Sequence, residues 1–142
     1  MNEAVLDYLK TQRTCVLAVE MMDGAPHSAT VHVAHSDDPF ILYFETNKNY
    51  RKAESLFGKN ETRASVVVGF TEDGKKTLQL DGTVRLIRPE ESEIYDKVYL
   101  GKFPEKVEKS KSPDFVRFLF TPSWWRFTDF SNGKTIITSE DK

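Results

Sequence analysis

The sequence lacks the features that mark disulfide-rich, secreted or membrane-spanning proteins. Cysteine occurs once, at Cys15, which excludes a disulfide within one chain and a zinc site built on several thiolates. No apolar run approaches the roughly 20 residues that cross a bilayer, and the first residues carry no apolar segment typical of a signal peptide. Since Cys15 lies in an apolar run, we expect a buried, unreactive thiol. Together these absences predict a cytoplasmic protein that does not enter a membrane.

An excess of positive charge is also absent. Lys and Arg total 20 against 22 Asp and Glu, which gives a net charge of -2. A nucleic-acid-binding protein or one that binds anionic membranes usually carries a basic patch, so neither partner is expected. His32 and His35 are three residues apart, and on a strand this spacing places them on opposite faces. We therefore expect no metal site, and no motif identifies a catalytic residue.

The features that are present indicate one β-rich domain, residues 1–142. Ten Phe, five Tyr and two Trp form either a sheet core or a surface that a partner covers. Asp23-Gly24, Asp73-Gly74 and Asn132-Gly133 each separate runs of strand-forming residues, which is typical of tight hairpins. The predicted strands are residues 14–22, 26–35, 40–46, 63–70, 76–88, 115–120, 124–130 and 135–138, with Thr121-Pro122 breaking the chain between the sixth and the seventh.

Three helices fit the intervals between these strands. Residues 3–12 place apolar side chains on one face, and residues 49–57 end before Gly58, a natural helix cap. Residues 89–100 start at a proline, place Ile94 and Val98 on one stripe, and end at Gly101. Many short strands with few helices predict a mainly β protein (α+β) that forms a small antiparallel barrel.

The most informative segment is residues 45–52, where a strand is predicted to turn into a helix. Thr46 offers a hydroxyl, Arg51 a two-pronged guanidinium, and Lys48 and Lys52 two point charges. Because helix N-termini also favour anions, this set of donors suits a phosphate monoester. The alternative interpretation is an ordinary solvated surface helix.

The order of these segments resembles the pyridoxamine 5'-phosphate oxidase-like, FMN-binding split barrel family over residues 14–138. The resemblance depends on five segments: Asp23-Gly24-Ala25-Pro26-His27-Ser28-Ala29-Thr30-Val31, Leu42-Tyr43-Phe44-Glu45-Thr46, Tyr50-Arg51-Lys52-Ala53, Arg63-Ala64-Ser65-Val66-Val67-Val68 and Gln79-Leu80-Asp81-Gly82-Thr83-Val84. It implies a split β-barrel and an FMN cofactor. It also implies a homodimer with the flavin between the subunits, which would account for the many aromatic residues.

The resemblance further assigns residues to the cofactor. By this resemblance, Thr46, Arg51 and Lys52 would bind the FMN phosphate. Glu45 directly precedes Thr46 on the strand. The strand that contains Ala29, Thr30 and Val31 would lie along the flavin, and Thr77 would offer a side chain near it. These eight residues are the predicted FMN site.

Two departures indicate a small bacterial branch of the family rather than the true oxidase. Ala29 stands where the oxidase has an arginine over the flavin, and the arginine-bearing C-terminal tail is absent after residues 126–129. The predicted function is therefore that of an FMN-binding oxidoreductase acting on an unidentified small molecule. The alternative is a non-catalytic protein that binds or senses flavin or haem on the same barrel.

Overall fold

The computed structural model describes residues 1–141, and within this range eight strands form one curled antiparallel sheet. The strands follow the order β2-β1-β5-β6-β7-β4-β3, and β8 pairs with β7. Their bounds are β1 Thr14–Glu20, β2 Pro26–His32, β3 Ala34–Ser36, β4 Ile41–Asn47, β5 Thr62–Val68, β6 Lys76–Leu86, β7 Phe115–Asp129 and β8 Thr135–Thr138. The four α-helices are α1 Glu3–Thr11, α2 Ala53–Gly58, α3 Ser92–Tyr95 and α4 Val107–Ser110.

The two ends of the sheet are consecutive pieces of the chain. Only Val33 separates β2, which pairs with β1, from β3, which pairs with β4. The predicted strand 26–35 is therefore divided, because the chain leaves one edge of the sheet and joins the other. The sheet curls into a half-barrel with a few short helices, which confirms the predicted mainly β fold.

Alternation of buried and half-exposed residues along β1 contributes to the core. In β1, Cys15, Leu17 and Val19 point inward while the residues between them stay half-exposed. Cys15 is fully buried, and burial raises the pKa of its thiol to about 12, which leaves the thiol unreactive at neutral pH. A second, smaller cluster packs α3 and the following turn against the outside of the sheet through Tyr43 and Tyr95. Within the described range 1–141, no helix is long and apolar enough to cross a membrane.

The prediction that Thr121-Pro122 ends a strand was wrong. β7 runs without interruption for 15 residues, and the irregularity is taken up by a β-bulge at Ser123 of β7, opposite the step from Asp81 to Gly82 of β6. Pro122 lies opposite Gly82 at this bulge, where its missing N–H costs little because the ladder is already disrupted. A Cβ on Gly82 would lie 2.1 Å from the carbonyl oxygen of Thr121, so this close approach requires glycine.

Two predicted helices also differ from the structure. The second helix has six residues and starts at Ala53, because Asn47 draws the chain into a turn first: its Oδ1 accepts from the Asn49 amide at 2.9 Å and its carbonyl from the Tyr50 amide at 3.0 Å. The predicted helix 89–100 divides into a 3-10 turn Pro89–Glu91, α3, and a π-helical turn Asp96–Leu100. Gly101 keeps right-handed helical angles and does not end it.

Candidate functional site

The candidate phosphate site begins at the end of β4, where successive side chains face opposite sides of the sheet. Thr46 points toward the main core beside Phe44 and is only 3% exposed. Its Oγ1 is buried and has no hydrogen-bond partner among residues 1–141. Because a buried hydroxyl without a partner costs free energy, Thr46 is a candidate ligand-binding group.

Lys52 is the second unusual group. It is only 7% exposed, and its ammonium lies 4.7 Å from the centroid of the Tyr50 ring. Burial lowers its pKa, and no neighbouring charge in the described part of the chain counteracts that effect. A buried cation without an anion is costly, so a bound anion would be stabilised here. Arg51 beside it is exposed.

The structure places Arg51 and Lys52 in a turn rather than at the N-terminus of a helix. Arg51 and Lys52 were expected on the first turn of a helix over residues 49–57, but they lie in the turn that precedes α2. A helix of six residues supplies little of the dipole on which that expectation depended. An anion bound at this turn would therefore meet the side chains of Thr46, Arg51 and Lys52 rather than a helix N-terminus.

Glu45 faces away from these groups. Its Oε2 accepts a hydrogen bond from the Tyr95 hydroxyl at 2.9 Å and another from Ser110 Oγ at 2.6 Å. Tyr95 is fully buried, and burial together with the nearby Glu45 charge raises the pKa of its hydroxyl far above the ordinary value. The Glu45 carboxylate is thus occupied within the protein, on the opposite face of β4 from Thr46.

The predicted flavin strand lies at one end of the sheet. Ala29 is opposite Leu17 and faces the interior, Thr30 is opposite Val16 and exposed, and Val31 is buried in the core. Of these three side chains, only that of Thr30 points into solvent.

Thr77 is separated from the other predicted residues by the length of β7. It lies opposite Thr128, whereas Thr46 lies opposite Val116 on the same strand. The twelve residue steps between these β7 positions correspond to about 40 Å of strand. The two positions lie near opposite ends of β7, with the β-bulge of this strand between them. The structure therefore does not bring Thr77 and the phosphate residues together within one chain.

Sequence reasoning missed two aromatic residues close to Thr77. Phe70 and Phe130 are 54% and 51% exposed and border a cavity of about 480 Å³ that also contains Thr77, Lys75 and Lys76. Phe130 is the first residue after β7 and Phe70 the second after β5, positions where a polar loop residue is usual. These positions were the available signal.

A second cavity, of about 610 Å³, lies between β3 and the π-helical turn. It contains His35, whose buried Nε2 lies 3.3 Å from Asp37 Oδ1 without a well-directed hydrogen bond. Lys102 also lines it and donates to the carbonyls of Leu9, Gln12 and Val33 at 3.2, 2.5 and 2.9 Å. Burial lowers the pKa of Lys102 to about 8.

Solved structures share this architecture at low sequence identity. A protein of unknown function from Agrobacterium tumefaciens matches with a TM-score of 0.72 and 17% identity, over 94% of this chain and 61% of its own. A haem binding protein from Mycobacterium smegmatis matches with a TM-score of 0.74 and 13% identity, over 97% of this chain and 59% of its own. A third match is a Clostridium acetobutylicum protein related to general stress protein 26, of the pyridoxinephosphate oxidase family. Its TM-score is 0.66 and its identity 19%, over 95% of this chain and 91% of its own. The chain spans about three fifths of the first two proteins, and these likenesses show the fold alone.

Among curated proteins, none matches the chain. The family model described as pyridoxamine 5'-phosphate oxidase matches residues 1–129, which is most of the sequence and includes every predicted site residue. This match confirms the resemblance drawn from the sequence motifs. The chain belongs to the pyridoxamine 5'-phosphate oxidase family.

Proposed function

We propose that this protein binds FMN and acts as a flavin-dependent oxidoreductase on a small molecule. The observation that carries the proposal is the buried ammonium of Lys52 without a partner carboxylate, six residues from the unpaired hydroxyl of Thr46. A phosphate dianion would satisfy both groups, and the exposed Arg51 can add a two-pronged contact.

A terminal phosphate fits this arrangement better than a diphosphate does. Thr46 and Lys52 are two buried donors on one short segment, and they suit a single phosphate group. We therefore expect FMN to bind more tightly than FAD, and riboflavin to bind weakly because it lacks the phosphate.

The positions of the predicted residues support a homodimer. Because about 40 Å of β7 separates Thr77 from Thr46, a flavin that contacts both needs two copies of the chain. In such a dimer, Thr77 and the exposed Phe70 and Phe130 of one copy would cover the flavin held by the other. This arrangement would also bury aromatic surface that is exposed in one copy.

Bound FMN would supply the electron-transfer chemistry. The chain's own part is to anchor the phosphate through Thr46, Arg51 and Lys52 and to exclude water through Phe70 and Phe130. The exposed hydroxyl of Thr30 on β2 is available for a hydrogen bond to the cofactor.

Haem binding on the same barrel is the second candidate function. It is favoured by the likeness to the Mycobacterium smegmatis haem binding protein, which covers 97% of this chain. His32 is the most suitable axial ligand, since it is half-exposed on β2 and its ring packs edge-on against Phe103 at 5.2 Å. Burial lowers the pKa of His32, which keeps the ring neutral and able to bind iron at neutral pH.

Parallel titrations with FMN, FAD, riboflavin and haemin test the proposal. We expect saturable quenching of flavin fluorescence with FMN tightest, followed by NADH or NADPH oxidation when a panel of acceptors is added. Equal affinities for FMN and riboflavin would contradict the phosphate site. Tight haemin binding with a Soret band and no flavin binding would establish the second candidate instead.

A further inference from the structure

The hydrogen bonds to Glu45 are part of a larger network. Arg117 lies directly opposite Glu45 on β7, and its Nη2 donates to Ser110 Oγ at 3.1 Å. The guanidinium also lies 4.8 Å from the centroid of the Tyr95 ring and 3.5 Å from Asp96 Oδ1. Arg117 therefore orients both groups that donate to Glu45, and the carboxylate is held in one position.

This network is attached to the strand that leads into the candidate phosphate site. We call residues 46–52 the phosphate loop. The Lys48 amide donates to the carbonyl of Asp114 at 2.8 Å, and Asn47 binds the amides of Asn49 and Tyr50. Because neighbouring residues of a strand face opposite sides, a fixed Glu45 side chain fixes the direction in which Thr46 points.

We propose that Glu45 is a positioning residue for the phosphate loop and does not contact the cofactor. This inference rests on the proposed function. A carboxylate beside a phosphate repels it, so direct contact would weaken binding. Turned away and bound by Tyr95 and Ser110, Glu45 instead joins β4 to α3 and α4 and keeps the loop in the geometry that binds phosphate.

A double variant removes the two donors without changing the net charge of the chain. Tyr95→Phe with Ser110→Ala leaves Glu45, Arg117 and the aromatic packing in place. Tyr99→Phe is the matched control, since Tyr99 is a buried residue of the same helical segment whose hydroxyl makes no hydrogen bond to Glu45. If the double variant folds poorly, each single substitution provides the same test with one of the two donors to Glu45 removed.

Hydrogen exchange without ligand is the first measurement. In the double variant we expect the amides of Lys48, Asn49 and Tyr50 to exchange about tenfold faster. This factor corresponds to the net stabilisation that one or two hydrogen bonds provide. The amides that pair β1 with β5 should not change, and the control should match the wild type. Unchanged loop exchange, or equal acceleration throughout the sheet, would overturn the inference.

The ratio of FMN to riboflavin affinity is the second measurement. We expect the double variant to bind FMN about three to ten times more weakly than the wild type and riboflavin equally well. An equal loss for both ligands indicates general destabilisation and overturns the positioning role. A wild type without preference for FMN defeats the proposed function, whereas the exchange experiment still decides whether Glu45 positions the loop.

Discussion

Lys52 shows how one buried side chain links stability to binding. The ammonium is desolvated beside Tyr50 and pairs with no carboxylate among residues 1–141, so it destabilises the protein without ligand. Methionine keeps most of the side-chain volume and removes the charge. We expect Lys52→Met to keep or raise the melting temperature of the ligand-free protein and to weaken FMN binding about ten- to a hundredfold.

Calorimetry and flavin fluorescence titration check these opposite effects. Arg51→Ala is expected to weaken FMN binding without changing stability, because Arg51 is exposed. Lys111→Met is the control, since Lys111 is exposed, lies outside the phosphate loop and pairs with Glu108 at 2.9 Å. Retained FMN affinity in the Lys52 and Arg51 variants would show that this loop is an ordinary solvated surface.

Glu91 makes stability depend on pH. Its two oxygens accept from the two terminal nitrogens of Arg85 at 2.8 Å each, which lowers the pKa of Glu91 to about 2 from the ordinary 4.5. A lowered folded-state pKa means that the stabilisation is complete above pH 4.5 and is lost as the pH falls toward 2. We expect the wild type to exceed Glu91→Gln in unfolding free energy by up to about 3 kcal/mol near neutral pH, and by little near pH 2.

Urea denaturation at several pH values measures this difference. Glu90→Gln is the matched control, because Glu90 is an exposed neighbour in the same 3-10 turn. A constant difference between the wild type and Glu91→Gln from pH 2 to pH 6 would rule out the Arg85 pair as the source.

Among the elements, β7 organises the fold. It pairs with β4 through its first half, with β6 along nearly its whole length and with β8 at its end. This threefold pairing requires the strand to bend, and the bulge at Ser123, opposite Asp81 and Gly82, provides the bend. A side chain at Gly82 would press against the Thr121 carbonyl, which belongs to the backbone and cannot rotate away.

We expect Gly82→Ala to destabilise the protein by about 2–4 kcal/mol through this overlap. Gly101→Ala is the matched control, because no atom lies within 4 Å of its added Cβ and its backbone is helical. That substitution is expected to stabilise the protein by about 0.5–1 kcal/mol. Thermal unfolding distinguishes the two, and equal effects would contradict the role given to the bulge.

At the scale of the whole molecule, the separation of Thr77 from Lys52 predicts a site shared between two copies. Thr77→Arg and Lys52→Met should each abolish tight FMN binding as homodimers. When the two variants are mixed and refolded, a heterodimer contains one site in which both residues are intact. We therefore expect mixing to restore up to half an FMN per heterodimer subunit.

Light scattering and FMN stoichiometry measure this outcome. A site contained in one chain leaves every site of the heterodimer with one substitution, so mixing restores nothing. A wild type that stays monomeric at micromolar concentration would contradict both the dimer and the shared site.

The sequence by itself determined the hairpins and the identity of the core residues. Asp-Gly and Asn-Gly turns and alternating apolar residues are local signals, and β1 with β2, β5 with β6 and β7 with β8 pair as these signals predict. The family motifs extended this information to the candidate site residues, whose binding role remains a prediction.

Only the tertiary structure decided the features that depend on distant parts of the chain. Local patterns could not show that the strand 26–35 divides at Val33, because that division follows from the closure of the sheet. They also could not show that Lys52 is buried, that Glu45 binds Tyr95 and Ser110, or that β7 separates Thr46 from Thr77. Each of these facts depends on packing between residues far apart in sequence, where register and burial, rather than local propensity, set the free energy.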